Sequence, residues 1–316
     1  MSSSTKKIVT TIIKCLLSVG ILWFIIYKFD VKWTKLSELL VEPMWIGVAL
    51  FLSLVVTTFL ANNRWKTFLT MIGVEESFWR LVLLNWKSLF YGVWIPSSQG
   101  YDVIRIYNIE KAHPESRGKV GSTVIVERLI GLVCLISIAL IALIFIGSER
   151  LLLPIVVLVC IVGILLWVIR SKRCAAFINR QFGNSRFMPK ASSYLMKLYN
   201  GLHEFPFDRR LIWSVMLILL LQLTNILIVD CLFRACGCDI SIIYHLLYQP
   251  VVSVITMIPI TFGGIGLREG GFAYFYIQMG VDGAVVVSVS LAYYCIMTLL
   301  PALLGAIVNG MEMIKK

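Results

Sequence analysis

Long apolar stretches recur along the chain, and they restrict its fold more than any other feature. A helix needs about 20 consecutive apolar residues to cross the hydrocarbon layer of a membrane. Hydrophobic residues make up 59% of the chain and charged residues only 15%, which excludes an ordinary soluble domain. The sequence therefore predicts an all-α, polytopic helical membrane protein with six full spans. These spans are Ile8–Tyr27, Met44–Ala61, Ser122–Ile146, Leu151–Arg170, Leu211–Phe233 and Ala284–Val308.

Two further apolar stretches are interrupted by polar residues and proline. One, around residues 78–105, breaks at Pro96, and the other, around residues 240–280, breaks at Pro259 and enters a glycine-rich turn. We interpret both as broken or re-entrant helical hairpins. A membrane tolerates such a backbone only where it is buried in protein or lines a polar cavity.

The two breaks share a sequence pattern. A hydroxyl residue, a glycine and an arginine lie two, four and nine positions after each proline. These residues are Ser98, Gly100 and Arg105 in the first unit, and Thr261, Gly263 and Arg268 in the second. The pattern predicts two membrane repeats, residues 1–147 and 148–316, that run antiparallel across the bilayer, as in transporters whose substrate sites lie between two discontinuous helices. The alternative is that the prolines kink helices and the glycines allow close packing.

Charged residues in and beside the broken units are the candidates for substrate binding. An arginine at the centre of a bilayer costs at least about 2.5 to 3.5 kcal/mol, so each one needs an anionic partner. Asp102 and Arg105 lie three positions apart and are expected to pair on one helical face. Glu269, the neighbour of Arg268, is expected to point away from it, because adjacent helical side chains do not face each other.

The glycine-rich turn of the second unit is expected to expose backbone amides, which bind anions at helix starts. Glycine disfavours a continuous helix by up to about 1 kcal/mol per residue, and the turn is expected to include Gly270 and Gly271. The helix breaks are placed at Pro96 and Pro259. The complete set of predicted substrate-binding residues is Ser98, Gly100, Asp102, Arg105, Glu127, Arg128, Thr261, Gly263, Gly264, Gly266, Arg268 and Glu269.

The distribution of the 29 Lys and Arg residues predicts the orientation. Most of them face the cytoplasm if both termini are cytoplasmic and both broken units return to the side from which they entered. We therefore expect a multi-pass protein of the cell membrane. If residues 240–260 crossed fully instead, the C-terminus would lie outside, and this second topology stays open. Arg64 is expected to anchor the inner end of a span beside Trp65, and Lys87 to be either a buried cation or a snorkelling one.

The longest polar stretch, residues 171–210, is predicted to be a cytoplasmic loop. Within it Tyr194, Leu198 and their neighbours have helical spacing, which predicts an amphipathic helix. The helix either contacts anionic lipids of the inner leaflet or packs on the base of the protein. The net charge of +12 is explained by membrane orientation, and no aromatic-and-basic module indicates nucleic acid.

Other chemistries find little support. The eight cysteines lack zinc-ligand spacing, and there is no P-loop, nucleophile elbow or dinucleotide fingerprint. We expect no metal, no cofactor and no enzymatic activity. His245, a lone polar residue in a membrane segment, is expected to make an interhelical hydrogen bond.

Four segments carry the motifs of a known family: residues 62–65, 95–105, 126–129 and 259–270. They resemble the flippase-like integral membrane family, which includes the membrane half of lysylphosphatidylglycerol synthases. The first loop departs from the family's paired glycine before the acidic residue, since it reads Gly100-Tyr101-Asp102. The resemblance implies translocation of an aminoacylated phospholipid or of a polyprenyl-phosphate-linked sugar. Synthesis is not implied, because it belongs to a separate soluble domain for which this chain has no room.

The resulting hypothesis is a lipid flippase. Arg105 and Arg268 would contact phosphate together with backbone amides, while Asp102, Glu127 and Glu269 would hold the arginines or recognise a cationic head group. The rival is a membrane-embedded transferase acting on a lipid-linked substrate, with Asp102 or Glu127 as general base. A structural subunit of a larger assembly is the third alternative, and a homodimer is kept open.

Overall fold

A computed structural model of the chain describes residues 41–95, 100–147, 189–203, 205–206, 208–258, 261 and 263–314, with single residues at 23, 27, 156, 160 and 163. Every regular element in this part is helical. The predicted spans Ile8–Tyr27 and Leu151–Arg170 lie outside the described residues, apart from those single positions.

Nine helices make up the described chain. They are α1 (Met44–Leu54, Val55–Leu60 and Ala61–Met71), α2 (Phe78–Gly92), α3 (Gly100–Ala112), α4 (Lys119–Ile146), α5 (Pro189–His203), α6 (Arg209–Ala235), α7 (Ile242–Met257), α8 (Leu267–Tyr276) and α9 (Gly283–Tyr294, Cys295–Leu299 and Leu300–Ile314). Short 3-10 turns lie at Pro114–Ser116 and Ile277–Met279.

Four helices, α1, α4, α6 and α9, are long and apolar enough to cross a membrane. The shortest has 27 residues, about 40 Å at 1.5 Å per residue, against a hydrocarbon thickness of about 30 Å. They contain the four remaining predicted spans. The described chain is therefore that of a helical membrane protein.

Two of these helices each contain a π-helical segment, Val55–Leu60 in α1 and Cys295–Leu299 in α9. A π segment leaves backbone carbonyls without their usual helical partners. Side chains take over: the Asn62 amide donates to the Thr57 and Thr58 carbonyls at 2.9 Å, and the Ser53 hydroxyl donates to the Ile296 carbonyl at 2.9 Å. These bonds satisfy polar backbone groups that lipid could not.

Four shorter helices form two hairpins, α2–α3 and α7–α8, and the two helices of each hairpin pack against each other. None exceeds 16 residues, about 24 Å, so none is long enough to cross alone. A Cβ atom on Gly100 would lie 2.6 Å from the Ile95 Cβ atom, so the close approach of residues 95 and 100 in the first hairpin requires glycine.

Each hairpin packs on a long helix from the other half of the chain, an arrangement called here the exchange of partners. Helix α2 packs on α9, α7 packs on α4, and α1 packs on α6. The α2–α9 crossing is closest at Gly305, where a Cβ atom would overlap the backbone carbonyl of Trp86. Around the second hairpin, the buried rings of Phe233, Phe272 and Tyr276 stack into the main apolar core. Both halves therefore build one packed unit.

Helix α5 is the amphipathic helix expected in the polar loop, and it packs on α4. The Tyr194 hydroxyl donates to Glu110 Oε1 at 3.2 Å, and a Cβ atom on Gly201 would lie 2.7 Å from the Ser122 hydroxyl. These contacts favour packing on the base of the protein among the two interpretations of this helix.

Candidate functional site

Three arginines from three helices converge in the first half of the chain. Arg64 on α1 donates to Glu127 Oε1 on α4 at 2.5 Å, and Arg105 on α3 donates to both Glu127 oxygens at 3.2 and 3.3 Å. Arg105 also pairs with Asp102 at 2.7 Å, as their spacing predicts, and Arg128 pairs with the other Asp102 oxygen at 2.7 Å. Two carboxylates thus hold three guanidinium groups in one network.

Aromatic rings complete this cluster. The Arg105 guanidinium lies 4.7 Å from the centre of the Trp65 ring, and Arg128 donates to the Tyr101 hydroxyl. Arginine stacks on aromatic faces while its N–H fork stays free for other partners. The rings therefore hold the guanidinium planes without neutralising them.

The second half contributes a single arginine at the start of α8. Arg268 Nη2 contacts Glu269 Oε1 at 2.7 Å, and its Nε donates to the Ser290 hydroxyl at 3.2 Å. Ser290 in turn donates to Glu269 at 3.0 Å, and the Arg268 guanidinium lies 4.7 Å from the centre of the Tyr294 ring.

The pairing of Arg268 with Glu269 corrects the expectation that these neighbours point apart. Glu269 bends back to the helix start, where its Oε2 accepts the Gly266 N–H at 2.6 Å. A first-turn carboxylate commonly does this, because the first N–H groups of a helix have no helical partner. The long arginine side chain then reaches the same carboxylate.

One cavity of about 330 Å³ joins the two halves. Arg64, Arg105, Arg128 and Arg268 all line it. Both hairpin turns reach it as well, through Gly92 and Gly100 on one side and Met257 and Gly263 on the other.

The charge balance of this cavity is positive. Four guanidinium groups line it, and three carboxylates, Asp102, Glu127 and Glu269, pair with them from behind. Among the described residues that line the cavity, none is acidic. The network keeps one positive charge in excess, and its exposed face consists of donors that match phosphate or carboxylate oxygens.

The rest of the lining is uncharged and combines apolar with polar side chains. Amide and hydroxyl side chains face the cavity from α1, α2, α6, α7 and α9. They are Thr57, Asn85, Gln222, Asn225, Gln249, Ser253, Thr256, Tyr293, Tyr294 and Thr298. Such groups are rare at membrane depth unless they line a pathway or bind one another.

Comparison of the sequence with known proteins shows the family of the chain. The sequence profile of the lysylphosphatidylglycerol synthase TM region matches residues 11–305. The chain belongs to this family. It is 25% identical over 272 residues to a UPF0104 membrane protein of Pyrococcus horikoshii, covering 77% of this chain and 80% of the relative. A UPF0104 membrane protein of Methanocaldococcus jannaschii is 23% identical over 324 residues, covering 95% of each chain.

In this member of the lysylphosphatidylglycerol synthase TM family, the predicted site residues fall into two layers. Gly100, Arg105, Arg128, Gly263 and Arg268 line the cavity. Asp102, Glu127 and Glu269 lie behind these arginines and are not among the lining residues.

Other predicted positions lie away from the lining or outside the described chain. Thr261 is buried with its hydroxyl unpartnered, Gly264 lies beside Thr256, and Gly266 precedes α8. Ser98, Pro96 and Pro259 lie outside the described residues.

The glycine-rich turn is shorter than expected. Gly263, Gly264 and Gly266 have positive φ angles of 61°, 77° and 89°, which glycine adopts readily. Gly270 and Gly271 instead continue α8, where a Cβ atom on Gly271 would lie 3.0 Å from Val252. The last glycine therefore serves close helix packing.

Two kinds of lining residue were missed from the sequence. Arg64, expected to be an interfacial anchor, is only 11% exposed and binds Glu127. The amides on α6 and α7 gave a weak signal, since Gln222 and Asn225 lie three positions apart and share a helical face. Polar side chains inside an otherwise apolar span could have marked them.

Groups outside the cavity have structural partners. His245 Nδ1 lies 2.8 Å from the Tyr276 hydroxyl, which confirms the predicted interhelical hydrogen bond. Lys87 pairs with Glu312 on α9. In the described part of the chain, no group of three or more His, Cys, Asp or Glu side chains could hold a metal ion.

Proposed function

We propose that this protein is a lipid flippase of the cell membrane that moves an anionic or aminoacylated lipid between leaflets. A polyprenyl-phosphate-linked sugar and lysylphosphatidylglycerol are examples of such lipids. The observation that carries the proposal is the convergence of four arginines, from both halves of the chain, on one cavity. Arginine binds phosphate oxygens through two parallel hydrogen bonds, so the cavity suits a phosphate-bearing head group.

The hairpins supply the second part of the proposal. We take them as re-entrant units of an inverted repeat, with both chain termini in the cytoplasm. The exchange of partners supports this: the first helix of each hairpin packs on the last long helix of the other half. Rocking of one half against the other would then open the cavity to each side in turn, while the lipid tails stay in the bilayer.

The burial and ion pairing of the carboxylates favour a transporter over a transferase. A general base must reach the proton it removes and be free to accept it. Asp102 and Glu127, the candidates for that role, are 6% and 2% exposed and bind two arginines each. They act here as supports for the guanidinium groups.

Reconstituted liposomes test the proposal. Arg268→Ala is expected to slow leaflet exchange of a tail-labelled anionic phospholipid by at least tenfold, because a buried charge-assisted pair with phosphate is lost. The double variant Arg268→Ala/Glu269→Gln removes both charges, so it avoids the penalty of an unpaired buried carboxylate. Arg210→Ala, an exposed arginine at the start of α6, is the control. Wild-type exchange rates in both Arg268 variants would rule out the assignment.

A further inference from the structure

We propose that the cavity takes a head group in which a phosphate is joined to an uncharged, hydroxyl-rich group, and that it disfavours aminoacylated head groups. This inference rests on the proposed lipid transport and narrows its substrate class. It depends on two features of the described lining, the lack of acidic side chains and the presence of two amide oxygens without hydrogen-bond partners.

An aminoacylated head group carries at least one ammonium group, whose positive charge needs a carboxylate to balance it in a low-dielectric site. The described lining offers four guanidinium groups and no acidic residue. Glu269, the most buried acid of the site, is fully enclosed by Arg268, Ser290 and Gly266. An ammonium group in this space would be repelled by like charges within a low-dielectric interior.

The far side of the cavity contains amide oxygens that lack partners. Gln249 on α7 is 3% exposed, and its Oε1 atom has no hydrogen-bond partner in the described part of the chain. The same holds for Oδ1 of Asn225 on α6. Buried polar atoms are rarely left unpaired, least of all at membrane depth.

Another amide of the lining, Asn85, shows what a satisfied one looks like. Asn85 donates to the Thr57 carbonyl of the α1 π segment at 3.2 Å, so its role is structural. The Gln249 amide is hydrogen-bonded to the Tyr293 side chain, but its oxygen atom, like that of Asn225, has no partner among the described residues. Their unpaired oxygens are the groups that a bound molecule would satisfy.

Hydroxyl groups fit these amides and carry no charge that the arginines would repel. A hydroxyl both donates and accepts, so it pairs with a side-chain amide in either orientation of its oxygen and nitrogen. Ser253, Thr256 and Thr298 add further hydroxyls to the same lining. A cavity of about 330 Å³ lies at the small end of ligand sites, roughly 300 to 1,000 Å³, which suits one compact head group.

Three tail-labelled probes in phosphatidylcholine vesicles containing the full-length protein test the inference. Phosphatidylinositol presents a phosphate and a ring of hydroxyls, phosphatidic acid presents the phosphate alone, and lysylphosphatidylglycerol adds ammonium groups. The wild-type protein is expected to move phosphatidylinositol roughly tenfold faster than phosphatidic acid, the effect of one or two added hydrogen bonds. Lysylphosphatidylglycerol is expected to be slower than phosphatidylinositol by at least the same factor.

The amide variants show whether the preference comes from this site. Gln249→Leu is expected to bring the ratio of the phosphatidylinositol rate to the phosphatidic acid rate from about ten to near one. Asn225→Leu makes the same test should Gln249→Leu fail to give a monodisperse protein. Gln278→Leu, which removes an exposed amide that does not line the cavity, should keep the wild-type ratio.

The outcomes separate this inference from the proposed function. Equal wild-type rates for phosphatidylinositol and phosphatidic acid, both dependent on Arg268, would overturn the inference and leave the flippase proposal standing. Fastest transport of lysylphosphatidylglycerol, or a ratio unchanged by both amide variants, would also overturn it. Transport of none of the three probes would remove the proposed function itself.

Discussion

The Glu127 carboxylate on α4 binds the guanidinium group of Arg64, 63 positions earlier on α1. It joins two long helices at a buried point and also holds Arg105. The position of at least two cavity arginines therefore depends on a carboxylate that does not itself line the cavity.

Replacing Glu127 with Gln should destabilise the protein strongly. Loss of one partner of a buried ion pair typically costs about 3 to 5 kcal/mol, because the remaining charge is left uncompensated. The effect is measured as the thermal unfolding midpoint in detergent, monitored by loss of the monodisperse peak in size-exclusion chromatography. Glu115→Gln is the matched control, since the Glu115 side chain is 71% exposed, and it should change stability by less than about 0.5 kcal/mol. Equal midpoints for the two variants would contradict a supporting role for Glu127.

Glycine at position 305 should be intolerant of a methyl group. Gly305→Ala would force the Trp86 carbonyl away from α9, and overpacking of this kind costs about 1 to 3 kcal/mol. Gly310→Ala lies on the same helix with nothing within 4 Å of the added Cβ atom, so helix propensity should make it neutral or stabilising. The measurement is the thermal unfolding midpoint of each variant. A Gly305→Ala protein as stable as Gly310→Ala would show that α2 and α9 are not in close contact.

The hydrogen bond from Tyr194 on α5 to Glu110 on α3 is expected to depend on pH. Burial, together with the nearby Glu110 carboxylate, raises the pKa of Tyr194 to about 12. Because the folded-state pKa lies above the usual value of 10, the stabilisation is fully present below pH 10 and is lost as the pH rises towards 12.

The comparison with Tyr194→Phe tests this contact. At pH 8 the variant should be less stable by about 1 kcal/mol, the value of one hydrogen bond, and the difference should shrink by pH 11.5. Tyr107→Phe, whose ring is 63% exposed, should match the wild type at both pH values. A stability difference that grows with pH would reverse the assigned sign.

Labelling of single cysteines should separate the two topologies. In a cysteine-free background, Gln278→Cys is expected to react with a membrane-impermeant maleimide from outside the cell, and Glu115→Cys only after permeabilisation. Both positions are exposed in the protein. If residues 240–260 crossed the membrane fully, Gln278→Cys would be protected, and the inverted repeat would be abandoned.

The sequence predicted local relationships better than distant ones. The helical type, four long spans and the Asp102–Arg105 pair follow from periodicity and spacing, which short segments carry by themselves. The proline-centred pattern placed Arg105 and Arg268 in corresponding turns, and the structure brings both to one cavity.

The failures have a common cause in tertiary contacts. Arg64 resembles an interfacial anchor until α4 places Glu127 beside it. Arg268 and Glu269 pair because the carboxylate turns back to the helix start, which residue spacing alone does not reveal. Gln249 and Asn225 become neighbours in one lining only through the packing of α6, α7 and the other helices around the cavity.

The exchange of partners between the halves has a consequence for how the chain is made. Lys87 on α2 meets its partner Glu312 only 225 positions later. Helix α2 can therefore reach its final packing only after α9 has been made, because the two helices pack against each other. The first hairpin precedes most of the chain in sequence but is completed by one of its last described helices.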